Sequence, residues 1–175
     1  TWTKKDGRYN ILYGVTYGNG LFVTVGGSGS LLTSSDGNSW TKRTPGTSNE
    51  LNGVTYGNGL FVTVGSSGII LNSYDGISWT KRNSGTSNSL YGVTYGNGLF
   101  VTVGWKGTIL TSPDGNSWTK SDSGSSEPLR GVTYVNGFFV TVGLEGTIHT
   151  SSDGNSWTKR TSGTSKSLYG VSYSQ

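Results

Sequence analysis

The sequence predicts an all-β fold, a β-propeller of four-stranded antiparallel blades, on three observations. The stretch Ser34-Ser35-Asp36-Gly37-Asn38-Ser39-Trp40 returns with few changes as Ser73 to Trp79, Ser112 to Trp118 and Ser151 to Trp157. Its spacing is constant: Trp40, Trp79, Trp118 and Trp157 follow one another at 39 residues, as do Gly14, Gly53, Gly92, Gly131 and Gly170. Between these markers, short runs of β-branched and aromatic residues alternate with Gly- and Asn-containing turns, and no segment has a helical period. Repeats of about 40 residues belong to solenoids and propellers, in which each unit buries its apolar face on its neighbours. Residues 1–175 therefore read as one repeat domain.

Each unit yields four strands, A to D. The first complete unit opens with strand A, Gly14-Val15-Thr16-Tyr17, turns at Gly18-Asn19-Gly20 and returns as strand B, Leu21-Phe22-Val23-Thr24-Val25. Asn-Gly between two such runs is a strong hairpin signal, because both positions tolerate positive φ. A second turn at Gly27-Ser28-Gly29 leads to strand C, Ser30-Leu31-Leu32-Thr33. The Ser-x-Asp-Gly turn then leads to strand D, opened by Trp40. In that turn a serine and an aspartate two residues on are placed to hydrogen-bond nearby backbone groups.

The same order runs through Gly53 to Arg82, Gly92 to Lys120 and Gly131 to Arg160, joined by polar Gly-Thr-Ser or Gly-Ser-Ser linkers. Thr1-Trp2-Thr3-Lys4-Lys5 matches a strand D, and Gly170 to Tyr173 matches a strand A. The expected arrangement is four complete blades plus split terminal strands, like a ring of five. Unpaired end strands imply association with another copy, giving a homo-oligomer, or membership of a longer repeat array.

The turn is similar to the Asp-box, or BNR-type, repeat of sialidases, sortilin-like receptors and photosystem assembly-factor propellers, and the likeness covers nearly the whole chain. The matching residues are Ser34, Asp36, Gly37 and Trp40, then Ser73, Asp75 and Trp79, Ser112, Asp114 and Trp118, and Ser151, Asp153 and Trp157. This chain has one residue fewer between Asp and Gly than the family pattern. The resemblance implies a structural role for the box, in the C–D turn of each blade, and no catalytic one. The sialidase arginine triad has no counterpart, since Arg43, Arg82 and Arg160 fall on outer strands.

Composition narrows the function classes. Only 31% of the 175 residues are hydrophobic and 30 are glycine, yet six Trp, ten Tyr and five Phe recur at fixed spacing, unlike a disordered low-complexity chain. With no cysteine, neither disulfide nor thiolate metal site is available. A single histidine, His149, excludes a histidine metal cluster and reads as a structural residue of strand C. One carboxylate per Ser-x-Asp-Gly turn falls short of the six to eight oxygens that calcium takes. No glycine-rich loop precedes a helix, and the apolar runs are too short to span a membrane. The net charge of +4 comes largely from Lys4-Lys5, Lys42-Arg43, Lys81-Arg82, Lys120 and Lys159-Arg160 on the outermost strands; a basic belt for an anionic polymer is one reading, and charge that guards exposed edges is the favoured one. No enzyme, cofactor, metal, nucleic-acid partner or membrane span is expected.

The repeats differ at few places. Before strand A stand Tyr13, Asn52, Tyr91, Arg130 and Tyr169; in the B–C turn stand Gly27-Ser28, Ser66-Ser67, Trp105-Lys106 and Leu144-Glu145. In a propeller the D–A and B–C connections open on one face, so these differences gather there. Aromatic residues and arginine are good contact anchors, and loops on rigid scaffolds carry function. Tyr13, Asn52, Tyr91, Trp105, Lys106, Arg130, Glu145 and Tyr169 are the candidate ligand-binding residues; drift after duplication is the competing explanation. The expected function is a non-catalytic module binding a glycan or a protein. The alternative is a structural or assembly-forming surface protein, and the expected location is extracellular or the cell surface.

Overall fold

The computed structural model describes residues 11–172; the expected strand at Trp2 to Lys5 lies outside them. Four antiparallel sheets follow one another along the chain, each ordered as its strands are in sequence. The first holds β1 (Leu12–Gly18), β2 (Leu21–Gly26), β3 (Ser30–Ser34) and β4 (Thr41–Lys42); the second β5 (Leu51–Gly57), β6 (Leu60–Gly65), β7 (Ile70–Ser73) and β8 (Thr80–Arg82). The third holds β9 (Leu90–Gly96), β10 (Leu99–Gly104), β11 (Ile109–Ser112) and β12 (Thr119–Ser121); the fourth β13 (Leu129–Val135), β14 (Phe138–Gly143), β15 (Ile148–Ser151) and β16 (Thr158–Arg160). Among the described residues the only helical turns are three-residue 3-10 turns between the second and third strands. None is long and apolar enough to cross a membrane.

The expected A–B turns form: Asn19 and Gly20 take φ of 48° and 73°, and the later Asn-Gly pairs do likewise. This left-handed pair matches the twist of the strands it joins. The first strands β1, β5, β9 and β13 pack on one another in sequence, which makes them the innermost. No comparable packing joins β13 to β1, so the described sheets form an open arc.

Cores form between sheets. The first groups Val23, Val25 and Leu31 with Leu51, Phe61, Ile69 and Leu71, and Trp79 closes its outer side. The next two repeat the arrangement, closed by Trp118 and Trp157. Glycines set the spacing at the inner strands: a Cβ on Gly53 would meet the Tyr91 carbonyl oxygen at 3.0 Å, and one on Gly92 the Arg130 carbonyl oxygen at 3.2 Å.

Residues 168–172 occupy the position of a further innermost strand, with Tyr169 O and Gly170 Cα each 3.2 Å from a Cβ built on Gly131. Leu168 N donates to Gly143 O at 2.9 Å. The segment is not a strand as expected, because a ladder needs a hydrogen-bonded partner strand and none of the described residues supplies one.

Candidate recognition face

The Ser-x-Asp-Gly turns are built for structure. In the first, Ser34 Oγ donates to Asp36 Oδ1 at 2.9 Å and accepts from Gly37 N at 2.9 Å. Asp36 Oδ1 also accepts the backbone N–H groups of Asn38 and Ser39, both at 2.8 Å. The same bonds recur around Asp75, Asp114 and Asp153. These N–H donors favour the charged carboxylate and hold all four aspartates at a pKa of about 2. Trp40, Trp79 and Trp157 return their indole N–H to the turn glycine's carbonyl, whereas buried Trp118 Nε1 has no partner. The three later turns also touch the preceding sheet, as where Asn72 Nδ2 donates to Gly115 O at 2.9 Å. With Oδ1 of each committed to local donors, these carboxylates serve the scaffold.

The varied residues before strand A owe their placement to a β-bulge. In the first sheet Leu12 pairs with Gly26 and Gly14 with Val25, so Tyr13 is the extra residue; Asn52, Tyr91 and Arg130 are its counterparts. A bulge bends its strand, re-aims a side chain and disrupts the ladder locally. Here the next strand repairs the defect: Thr24 Oγ1 donates to Gly14 O at 2.8 Å, and Thr63, Thr102 and Thr141 do the same for Gly53, Gly92 and Gly131. A uniform threonine thus supports a variable side chain in every repeat.

These residues meet across sheet boundaries. Asn52 Nδ2 donates to Leu90 O at 2.8 Å, so its amide ties the second sheet to the third. The Arg130 guanidinium lies over the Tyr91 ring, 4.2 Å from its centroid. Tyr13 and Tyr169 are exposed, and Tyr13 OH stands 3.6 Å from where a Cβ on Gly27 would be, over its own B–C turn.

The B–C turns join the same face. The turn Trp105–Gly107 lies against β13, the strand of Arg130, as the two preceding turns lie against β9 and β5. Trp105 is 42% exposed. Lys106 and Glu145, both exposed, hold φ of 52°, where Ser28 and Ser67 stand in the earlier repeats. Left-handed backbone costs a non-glycine residue about 1–2 kcal/mol, so the strain falls where the repeats differ. Farther out, two open grooves of about 450 and 470 Å³ run between B–C turns and Lys159-Arg160 or Lys81-Arg82.

The sequence pointed to these positions but not to three details. Arg130 Nε is buried without a hydrogen-bond partner. His149 is 2% exposed, with Nδ1 unpartnered, in the place that Leu71 and Leu110 hold in their cores. Val135 stands where Gly18, Gly57 and Gly96 each receive a tyrosine ring of the next sheet. Comparing repeats position by position flags the last two; the first depends on three-dimensional packing.

Neither a family model nor a curated protein matches the sequence. Among solved structures, the chain is similar to YCF48 from Cyanidioschyzon merolae, with a TM-score of 0.70 and 17% identity over 97% of this chain and 62% of that one. It is also similar to YCF48 bound to D1 peptide, with a TM-score of 0.64 and 17% identity over 87% of this chain and 53% of that one. The fold is a β-propeller. The chain spans between half and two thirds of the length of these propellers, and the likeness is one of architecture. In propeller terms, the bulges and B–C turns share one face of the blades.

Proposed function

We propose that this propeller is a non-catalytic binding module that holds a segment of another protein on the varied face, around Tyr91, Trp105, Lys106, Arg130 and Tyr169. The observation that carries this reading is the division of labour within each repeat. Turns and glycines that set blade geometry are nearly uniform, with Val135 in place of a glycine as an exception, while side chains delivered by the bulge and the strained B–C turn differ from blade to blade. That is the pattern of a rigid scaffold presenting adaptable contacts. A propeller of the same fold has been solved with a peptide bound. The one histidine is buried between blades and supplies no general base to this face.

The Ser-x-Asp-Gly turns support reading the chain as an Asp-box propeller, with the turns as scaffold and not as site. An extracellular or cell-surface location goes with this reading. Glycan binding is the companion reading, supported by exposed Tyr13, Tyr169 and Trp105, whose rings suit sugar faces.

The test is binding of wild type and the Tyr91→Ala/Trp105→Ala variant to a synthetic library of random dodecapeptides and, in parallel, to a glycan array. Wild type is expected to retain peptides that the variant loses, while the two melt within a few degrees of each other. Equal retention by both proteins refutes the assignment of the face.

Assembly is the second reading, on a separate observation. Leu12, Val15 and Tyr17 are exposed on the first blade, although their counterparts Leu51, Val54 and Tyr56 pack into a core. Leu12 and Val15, with Thr24, Leu32 and Trp40, line an apolar groove of about 240 Å³. Light scattering that shows one mass across a wide concentration range removes this reading.

A further inference from the structure

The varied face holds a cation prepared for a partner. Arg130 is the bulge residue of the fourth blade, and its guanidinium is stacked 4.2 Å from the centroid of Tyr91, the bulge residue of the third. Stacking fixes the plane of the fork, so little side-chain freedom remains to be lost when the fork is used. Its Nε is closed off from water and has no hydrogen-bond partner among the described residues. With the Nε edge enclosed and the side chain as a whole half-buried, the terminal Nη groups are the part of the fork that a partner can meet.

A second cation stands close by. The turn Trp105–Gly107 rests against β13, and Lys106 is exposed in its strained conformation. One blade on, the equivalent turn carries exposed Glu145 instead, so the face is polar along its length, cationic at the junction of the third and fourth blades and anionic beyond it. Net charge of +4 adds a weak attraction for acidic partners.

We infer that the junction of the third and fourth blades is a carboxylate-binding subsite, with Arg130 the specificity-determining residue, for an acidic peptide segment. The inference rests on the protein-binding reading above. The carboxylate lies end-on to the guanidinium and accepts from its two terminal Nη groups, since the enclosed Nε is out of a partner's reach. Trp105 and Tyr91 wall the segment, and Lys106 adds long-range attraction. A planar two-pronged donor suits a planar two-oxygen acceptor, which lysine at this position would not reproduce.

The test uses peptides retained by wild type from a synthetic library of random dodecapeptides with free C-termini. Each is remade with internal Asp and Glu changed to Asn and Gln, and separately with an amidated C-terminus. Affinities are measured for wild type, Arg130→Gln and Arg130→Lys, with melting temperatures as controls. For wild type, one of the two neutralised forms is expected to bind about tenfold or more weakly, and which one identifies the carboxylate as side-chain or terminal. Arg130→Gln is expected to bind acid and amide forms equally, and Arg130→Lys to fall between.

That loss of discrimination is the decisive readout, because a merely structural role for Arg130 would weaken both forms alike. Retained peptides with no dependence on acidic groups, or discrimination that survives in Arg130→Gln, overturn the subsite and leave the protein-binding reading standing. A library that yields no peptide overturns both. Arg130-dependent binding of polygalacturonate in place of any peptide overturns the choice of partner.

Discussion

Gly57 has no room for a side chain because Tyr95 fills it: an added Cβ would lie 2.1 Å from Cγ of that ring. Tyr95 in turn packs against Phe100 of its own blade, the rings tilted by 52° at a centroid separation of 4.6 Å. The same tyrosine-in-glycine contact joins Gly18 to Tyr56 and Gly96 to Tyr134. It sets how closely successive blades approach at the A–B end of their inner strands.

Gly57→Ala is therefore expected to destabilise the protein by about 1–3 kcal/mol through overpacking. Gly57 is not at positive φ, so the effect is steric and not conformational. Gly170, with none of the described residues within 4 Å of an added Cβ, is the control, and Gly170→Ala is expected to change stability by less than about 0.5 kcal/mol. Thermal melts by circular dichroism decide the matter, and equal melting temperatures would remove the contact from the list of blade-spacing determinants.

The architecture was legible because one unit is stated four times. A 39-residue interval fixes the blade, and the Asn-Gly and Ser-x-Asp-Gly turns fix its hairpins, whatever the propensity of any single residue. Placing Tyr13, Asn52, Tyr91 and Arg130 on one face followed from topology alone. Their contacts did not: whether Asn52 reaches Leu90 O or Arg130 covers Tyr91 depends on an offset of a few ångströms between blades, which no periodicity encodes. The bulge was also hidden, since the residue it displaces looks like an ordinary strand position. Asn52 shows the consequence, being read as a ligand contact and found tying two blades together.

Acid should reach the turns. The four turn aspartates have pKa values of about 2 in the folded chain against 3.8 for the free group, because backbone N–H donors favour their charged forms. Their contribution is present in full above pH 4 and is lost as pH falls toward 2, where the folded carboxylates finally protonate. Melting temperature is expected to drop over that interval. The Ser73→Ala/Asp75→Ala variant should show a smaller drop from a lower starting point, since Ser73→Ala alone leaves the buried Gly76 N–H without its acceptor, a loss of about 1–3 kcal/mol. A variant that melts like wild type at pH 7 would count against a structural role for the turn.

His149 gives a pH dependence of a different origin. It occupies the strand position where Leu71 and Leu110 pack into the earlier interblade cores, and it is almost fully buried. Burial, aided by the charge of Lys159 on the adjacent strand, lowers its pKa below the usual 6.5. The unfolded chain then binds the proton more readily than the folded one, so stability is unaffected well above pH 6.5 and declines as pH falls below it. His149→Leu, which restores the residue of the other repeats and removes the unpartnered Nδ1, is expected to raise the melting temperature at pH 8 and to raise it further at pH 5. The widening of the gap is the test, because filling the core better would raise stability equally at both values, whereas relief of a buried titratable ring would not. An equal gain at pH 8 and pH 5 would show that the imidazole takes up its proton in the folded chain as easily as in the unfolded one.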